Sequence, residues 1–215
     1  MTRRPWFALL AFGVILGIAF PRHAGAHRLD EYLQATRFAV ELDRIVAEIN
    51  LTPGADIAEK VIATIDRDGN GEVTESEAAA YAEHVVKSLS LEVDGKPRSF
   101  ALDVYRLPSL AAMRRGEGII RLRASTDIRS SVGPHRLAYS NTHRSDIGVY
   151  LVNALIPSDE RIHITGQSRD MLQREFTLDY AVSASESDLD LAAVWPPLAG
   201  LVLAAAFHTV ARRLS

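Results

Sequence analysis

Short alternating stretches of apolar and polar residues, each closed by a cluster of turn formers, run through most of this chain and predict strands. The alternation covers Tyr32 to Leu42 and Arg44 to Leu51 around a turn at Asp43, and Thr52-Pro53-Gly54 ends the second stretch. After an interruption it resumes at Ser90 to Val93, where Asp94-Gly95-Lys96 supplies a tight hairpin turn before Arg98 to Leu107. Further strands are expected at Ile119 to Ala124, His135 to Thr142, Ile147 to Ile156, Arg161 to Gly166 and Phe176 to Val182. Strands this short and this regularly spaced point to a mainly β fold, a β-sandwich over residues 27–188.

The interruption, residues 55–89, has a different period. Ala58, Val61, Ile62 and Ile65, then Ala78, Tyr81, Ala82 and Val85, recur at helical spacing, so an α-helical hairpin is inserted after the second strand. Between the two helices Asp66 to Glu77 reads Asp-Arg-Asp-Gly-Asn-Gly-Glu-Val-Thr-Glu-Ser-Glu. A hard cation needs oxygen donors at alternate places of a tight coil. Asp66, Asp68 and Asn70 offer them at places one, three and five, with Gly71 at the sharp turn. Glu72 would add its backbone carbonyl, Thr74 a bridging water, and Glu77 both carboxylate oxygens. Asp, Asn and Gly also make ordinary turns, and Thr74 with Glu77 is a capping box. A turn accounts for the composition of the segment but not for its register.

Residues 57–86 therefore resemble an EF-hand, and the resemblance implies Ca2+ held by Asp66, Asp68, Asn70, Glu72, Thr74 and Glu77. Magnesium fits less well, because a bidentate Glu suits the larger ion. The family keeps an apolar residue at the eighth place, here Val73, to pair with a second loop. This chain contains no second loop. Cover for the helices would then come from the sheet, with Val61, Ile62, Ile65, Tyr81 and Val85 packed on it and calcium serving mainly as a structural ion.

The ends of the chain place that module. Arg3 and Arg4, an apolar run from Trp6 to Phe20, and Ala24-Gly25-Ala26 follow the order of a secretory signal peptide over residues 1–26, with His27 as the new N-terminus. Leu191 to Ala211 is nearly free of charge and is followed by Arg212 and Arg213. It reads as a transmembrane helix over 191–211, started by Pro196 and Pro197, with a cytoplasmic tail at 212–215. The expectation is a single-pass protein of the cell membrane whose main domain faces the periplasm or extracytoplasmic space.

Composition adds boundaries. There is no cysteine, so an exported domain must hold by packing and by the ion. Removing Arg3, Arg4 and Arg22 with the signal moves the formal charge from −3 to −6, which argues against nucleic acid as a partner. His27, offering an amine and an imidazole together, suits nickel or copper, which gives an alternative reading as a transition-metal accessory protein. His135, His143 and His163 have no metal-site spacing and are expected as separate surface or strand residues, and His84 is expected to face solvent.

Motifs of the known hydrolases are missing, although Asp103, Glu117 and Asp146 could pair in space. An unrecognised hydrolase is therefore a third reading behind a non-enzymatic module. The start at His27, the early hairpin, and Asn141-Thr142-His143-Arg144 running into Val149-Tyr150-Leu151-Val152-Asn153 resemble the outer domain of bacterial hydrogenase and urease accessory membrane proteins. Those proteins have several spans and are linked to nickel or cobalt handling. With one span here, the resemblance implies bacterial envelope metal physiology and an envelope membrane-protein partner, without a transport role.

Overall fold

Alternation in the sequence becomes a two-faced strand wherever one face can be buried, and β1 (Tyr32–Val40) shows how. Tyr32, Gln34, Thr36, Phe38 and Val40 all point into the interior. A computed structural model describes residues 29–185 of the chain. It is mainly β. After β1 come β2 (Arg44–Pro53), a 3-10 turn at Ala55–Ile57, and the helices α1 (Ala58–Ile65) and α2 (Glu75–Lys87). The chain continues with β3 (Leu89–Val93), β4 (Lys96–Arg98), β5 (Ala101–Arg106), a short helix α3 (Leu110–Arg114), β6 (Ile120–Asp127) and β7 (Gly133–Asn141). It finishes with β8 (Gly148–Ala154), β9 (Ile162–Arg169) and β10 (Glu175–Val182).

The strands form two five-stranded sheets, ordered β5-β6-β2-β1-β8 and β4-β3-β7-β10-β9. Neighbours are antiparallel except for β1 and β8, which run parallel with Tyr32 opposite Gly148. Both sheets feed one core. Phe38 of β1 meets Tyr139 of β7 edge-on, with ring centroids 4.8 Å apart, and stacks at 5.9 Å on Phe176 of β10. Edge-on and offset aromatic pairs of this kind add to the burial of the rings themselves.

Both predicted helices bury the predicted stripe. Ala58, Val61, Ile62 and Ile65 of α1 and Ala78, Tyr81, Ala82 and Val85 of α2 are all buried and, apart from Ala78, belong to the same core as the sheets. The hairpin is also inserted after the second strand, as expected. The tight turn forms as well, Asp94 and Gly95 both taking the left-handed conformation at φ 53° and 71°.

Two expectations need correction. The single strand predicted for Arg98 to Leu107 is two, because the chain leaves one sheet after Arg98 and enters the other at Ala101. β4 pairs with β3 and β5 with β6, and Ser99-Phe100 makes the crossing. The stretch between Leu107 and Ile119, where no element was expected, contains α3. Residues 1–26, His27, the apolar run 191–211 and the tail 212–215 lie outside the described residues. Among the described residues, no helix is long and apolar enough to cross a membrane.

Candidate metal centre

Two helix ends create the cluster. Asp66 is the residue on which α1 stops, its N–H donating to the Ile62 carbonyl, and Glu77 lies in the first turn of α2. Asp66, Asp68 and Glu77 thereby each bring a carboxylate oxygen within 4.8 Å of the others. Three carboxylates this close repel one another, and a divalent cation between them turns that repulsion into coordination.

Backbone N–H groups shape the coil around the acids. Asp66, only 8 % exposed, accepts from Asn70 N on one oxygen (3.1 Å) and from Gly71 N on the other (2.9 Å). Gly71 has φ +83°, a conformation that a side chain would strain. Asp68 accepts from the Asn70 backbone N (3.1 Å) and from its Nδ2 (2.9 Å), while Asn70 Oδ1 accepts from Glu72 N (2.8 Å). Glu77 accepts from Arg67 N (2.9 Å), Thr74 N (3.0 Å) and the Thr74 hydroxyl (2.8 Å). The Thr74 backbone and hydroxyl bonds are the main reason its carboxyl is held below the usual range, so it is charged at neutral pH.

The six sequence candidates thus divide. Asp66, Asp68 and Glu77 converge, and Asn70 lies among them with its carbonyl oxygen turned to Glu72 N. The Glu72 side chain is exposed, in keeping with a backbone role. Thr74 caps α2, with Glu77 completing the reciprocal box. The oxygens of Asp66 and Asp68 and Oε1 of Glu77 each accept one N–H and retain a lone pair for an ion, whereas Glu77 Oε2 accepts both Thr74 bonds.

A second polar cluster lies behind the hairpin, and there the sequence reading is wrong. His143 is not a surface or strand residue: it occupies the turn between β7 and β8 and is 2 % exposed. The parallel pairing of β8 with β1 brings that turn against Tyr32 and α2. Tyr81 of α2, one helical turn beyond Glu77, hydrogen-bonds His143 Nε2 (3.2 Å) and the Tyr32 hydroxyl (2.6 Å). Gln34 Nε2 and the Tyr150 hydroxyl both donate to the His143 carbonyl, at 2.7 and 2.8 Å. Burial pushes the Tyr81 phenol up to about 12, so it stays protonated.

Gly148 leaves just enough room for this arrangement. A Cβ there would lie 2.7 Å from Gln34 Nε2, 2.7 Å from the Tyr150 hydroxyl and 2.8 Å from the Arg144 carbonyl. Gly148→Ala should therefore destabilise the fold by about 1–3 kcal/mol, measured by urea denaturation against the parent chain.

Among the described residues, the other histidines stand apart from any ligand set. His135 bridges Asp94 (2.8 Å) and the Ser131 carbonyl (2.7 Å); burial disfavours its charge, but these two acceptors outweigh burial and raise its pKa. His163 is exposed. His84 is exposed as expected, although its ring centroid lies 5.6 Å from that of His143. Asp103, Glu117 and Asp146 do not converge. Asp103 accepts from Ser125 (2.9 Å), Glu117 pairs with Arg115 (2.8 Å) and Asp146 with Arg144 (3.0 Å). Comparison of the chain with protein-family models, with curated proteins and with solved structures finds no match.

Proposed function

We propose that this chain is a non-enzymatic calcium-binding module, a single EF-hand mounted on a β-sandwich, in which the ion is mainly structural. The observation that carries the reading is the convergence of Asp66, Asp68 and Glu77, at places one, three and twelve of the loop, from the ends of two helices whose apolar faces are already buried. A groove-opening sensor keeps such faces available for a target. Here they are spent on the sheets, so calcium holds the hairpin in place. The sequence supports export and a single-pass tether to the cell membrane, with the domain on the periplasmic or extracytoplasmic side and a membrane protein of the bacterial envelope as partner. Calcium is plentiful there, and dissociation constants of about 10⁻⁴–10⁻³ M suffice.

Titration calorimetry of the purified chain with calcium and then magnesium tests this directly. Saturable calcium binding is expected, with magnesium weaker. By mass action on the folded state, about 10 mM calcium should stabilise the domain by about 1.4 kcal/mol or more, raising Tm by about 3 °C or more. No heat of binding and an unchanged melting curve would reduce the loop to a plain turn.

A further inference from the structure

An ion in this loop must be reached from two helices at once. Asp66 ends α1 and Glu77 sits in the first turn of α2, so affinity depends on what fixes one helix end relative to the other. In a paired EF-hand the second loop does part of that work through the eighth place. Here Val73 occupies that place and is half-buried against the core.

Another segment faces it across a groove. The segment from Tyr105 through α3 runs alongside the hairpin, leaving an open groove of about 670 Å³ between residues 71–75 of the loop and residues 105–110. One side-chain hydrogen bond joins it to each helix. The Tyr105 hydroxyl donates to the Glu75 carboxylate in the first turn of α2, two residues before Glu77. At its far end, Arg114 Nε donates to Glu59 Oε1 of α1 at 2.6 Å. Between these contacts Met113 is fully buried, and Leu107 and Leu110 pack on the core from the same side as Val73. The segment is thus anchored in the core and bonded to both ligand-bearing helices.

We propose that Tyr105–Arg114 is a clasp that takes the place of a second EF-hand and sets the affinity of the loop by holding Asp66 and Glu77 at a fixed separation. The proposal rests on the calcium reading above. Its two polar contacts are exposed, and such contacts contribute little to stability by themselves. Their effect is on preorganisation. A loop whose ligands are already positioned loses less conformational freedom on binding, and a loosened loop loses more.

Tyr105→Phe removes one oxygen atom and should raise the calcium Kd about fivefold, with Arg114→Gln raising it about twofold. The test that separates clasp from plain packing is a double-mutant cycle read in Kd. In a Glu75→Gln background, which keeps an acceptor for the phenol, Tyr105→Phe should still weaken binding. In a Glu75→Ala background it should do nothing further. Urea denaturation without calcium supplies the control: a merely structural segment would lose stability in these variants while Kd stayed put. Should the parent chain bind calcium and Tyr105→Phe bind it equally well, the clasp is wrong and the calcium reading stands. If the parent chain binds no calcium, both fall together.

Discussion

Glu77→Gln is expected to leave the chain folded while weakening its calcium binding by about a hundredfold or more, since ligand charge and rigidity tune loops of this kind over about six decades. The side chain has two jobs that the substitution separates. As a cap, it takes the Thr74 N–H, and a glutamine carbonyl can do the same. As a ligand, it would supply two charged oxygens, of which glutamine keeps one, uncharged. Circular dichroism should therefore be unchanged as calorimetric binding disappears. Asp66→Asn approaches the same ion from the other helix and should give a comparable loss. Glu83→Gln is the control, an exposed acid on α2 outside the cluster whose removal changes net charge equally. Equal weakening by Glu83→Gln would mean that the chain merely attracts calcium through its overall charge, and undiminished binding by Glu77→Gln would remove the EF-hand reading altogether.

The parts of this architecture that were legible in the sequence are those fixed by near neighbours. Period two along β1 and β10, period 3.6 along α1 and α2, the Asp94-Gly95 turn and the Thr74-Glu77 box each rest on residues a few places apart. The twelve-residue register is local in the same sense, which is why its acids could be named before they were seen to converge. Helix α3 could also have been found. Ser109 caps it by accepting from Ala112 N, and Gly116 follows in the left-handed conformation at φ 70°, a start signal and a stop signal around Leu-Ala-Ala-Met. At five residues its periodicity was too short to stand out.

Other features depend on pairings that no window contains. Nothing between Lys96 and Arg106 says that the chain changes sheets at Ser99-Phe100, because both halves are strand-like and only their partners differ. The burial of His143 follows from the parallel pairing of β8 with β1 and from tyrosines 62 and 111 positions earlier in the chain, and an imidazole read in isolation is more often exposed. The clasp has the same origin, since Glu75 and Tyr105 are 30 residues apart and Glu59 and Arg114 are 55 apart.

His143 carries the largest expected effect of acid. Burial, followed by the nearby His84 and Arg144, pushes its pKa from the ordinary 6.5 down to about 4, with Asp146 opposing. The groups around it are Tyr32 from β1, Tyr81 and His84 from α2, and Arg144 and Asp146 from its own turn. Tyr81 engages Nε2, and among the described residues Nδ1 has no hydrogen-bond partner and no carboxylate is bonded to either nitrogen to accommodate an imidazolium. The sign follows from linkage. Above pH 6.5 the histidine is neutral in both states and costs nothing. As pH falls from 6.5 towards 4 the unfolded chain takes up a proton that the native fold refuses, and stability drops by about 2.5 kcal/mol by pH 4.5. His135 works the other way, because its raised pKa adds stability as pH falls, so the effect of His143 must be isolated by substitution. Urea denaturation at pH 7.5, 5.5 and 4.5 should show His143→Gln less stable than the parent at pH 7.5, from lost packing, yet losing about 2.5 kcal/mol less than the parent does by pH 4.5. His135→Asn should steepen the decline. Parallel curves for the parent and His143→Gln would show that this buried imidazole does not control the acid response.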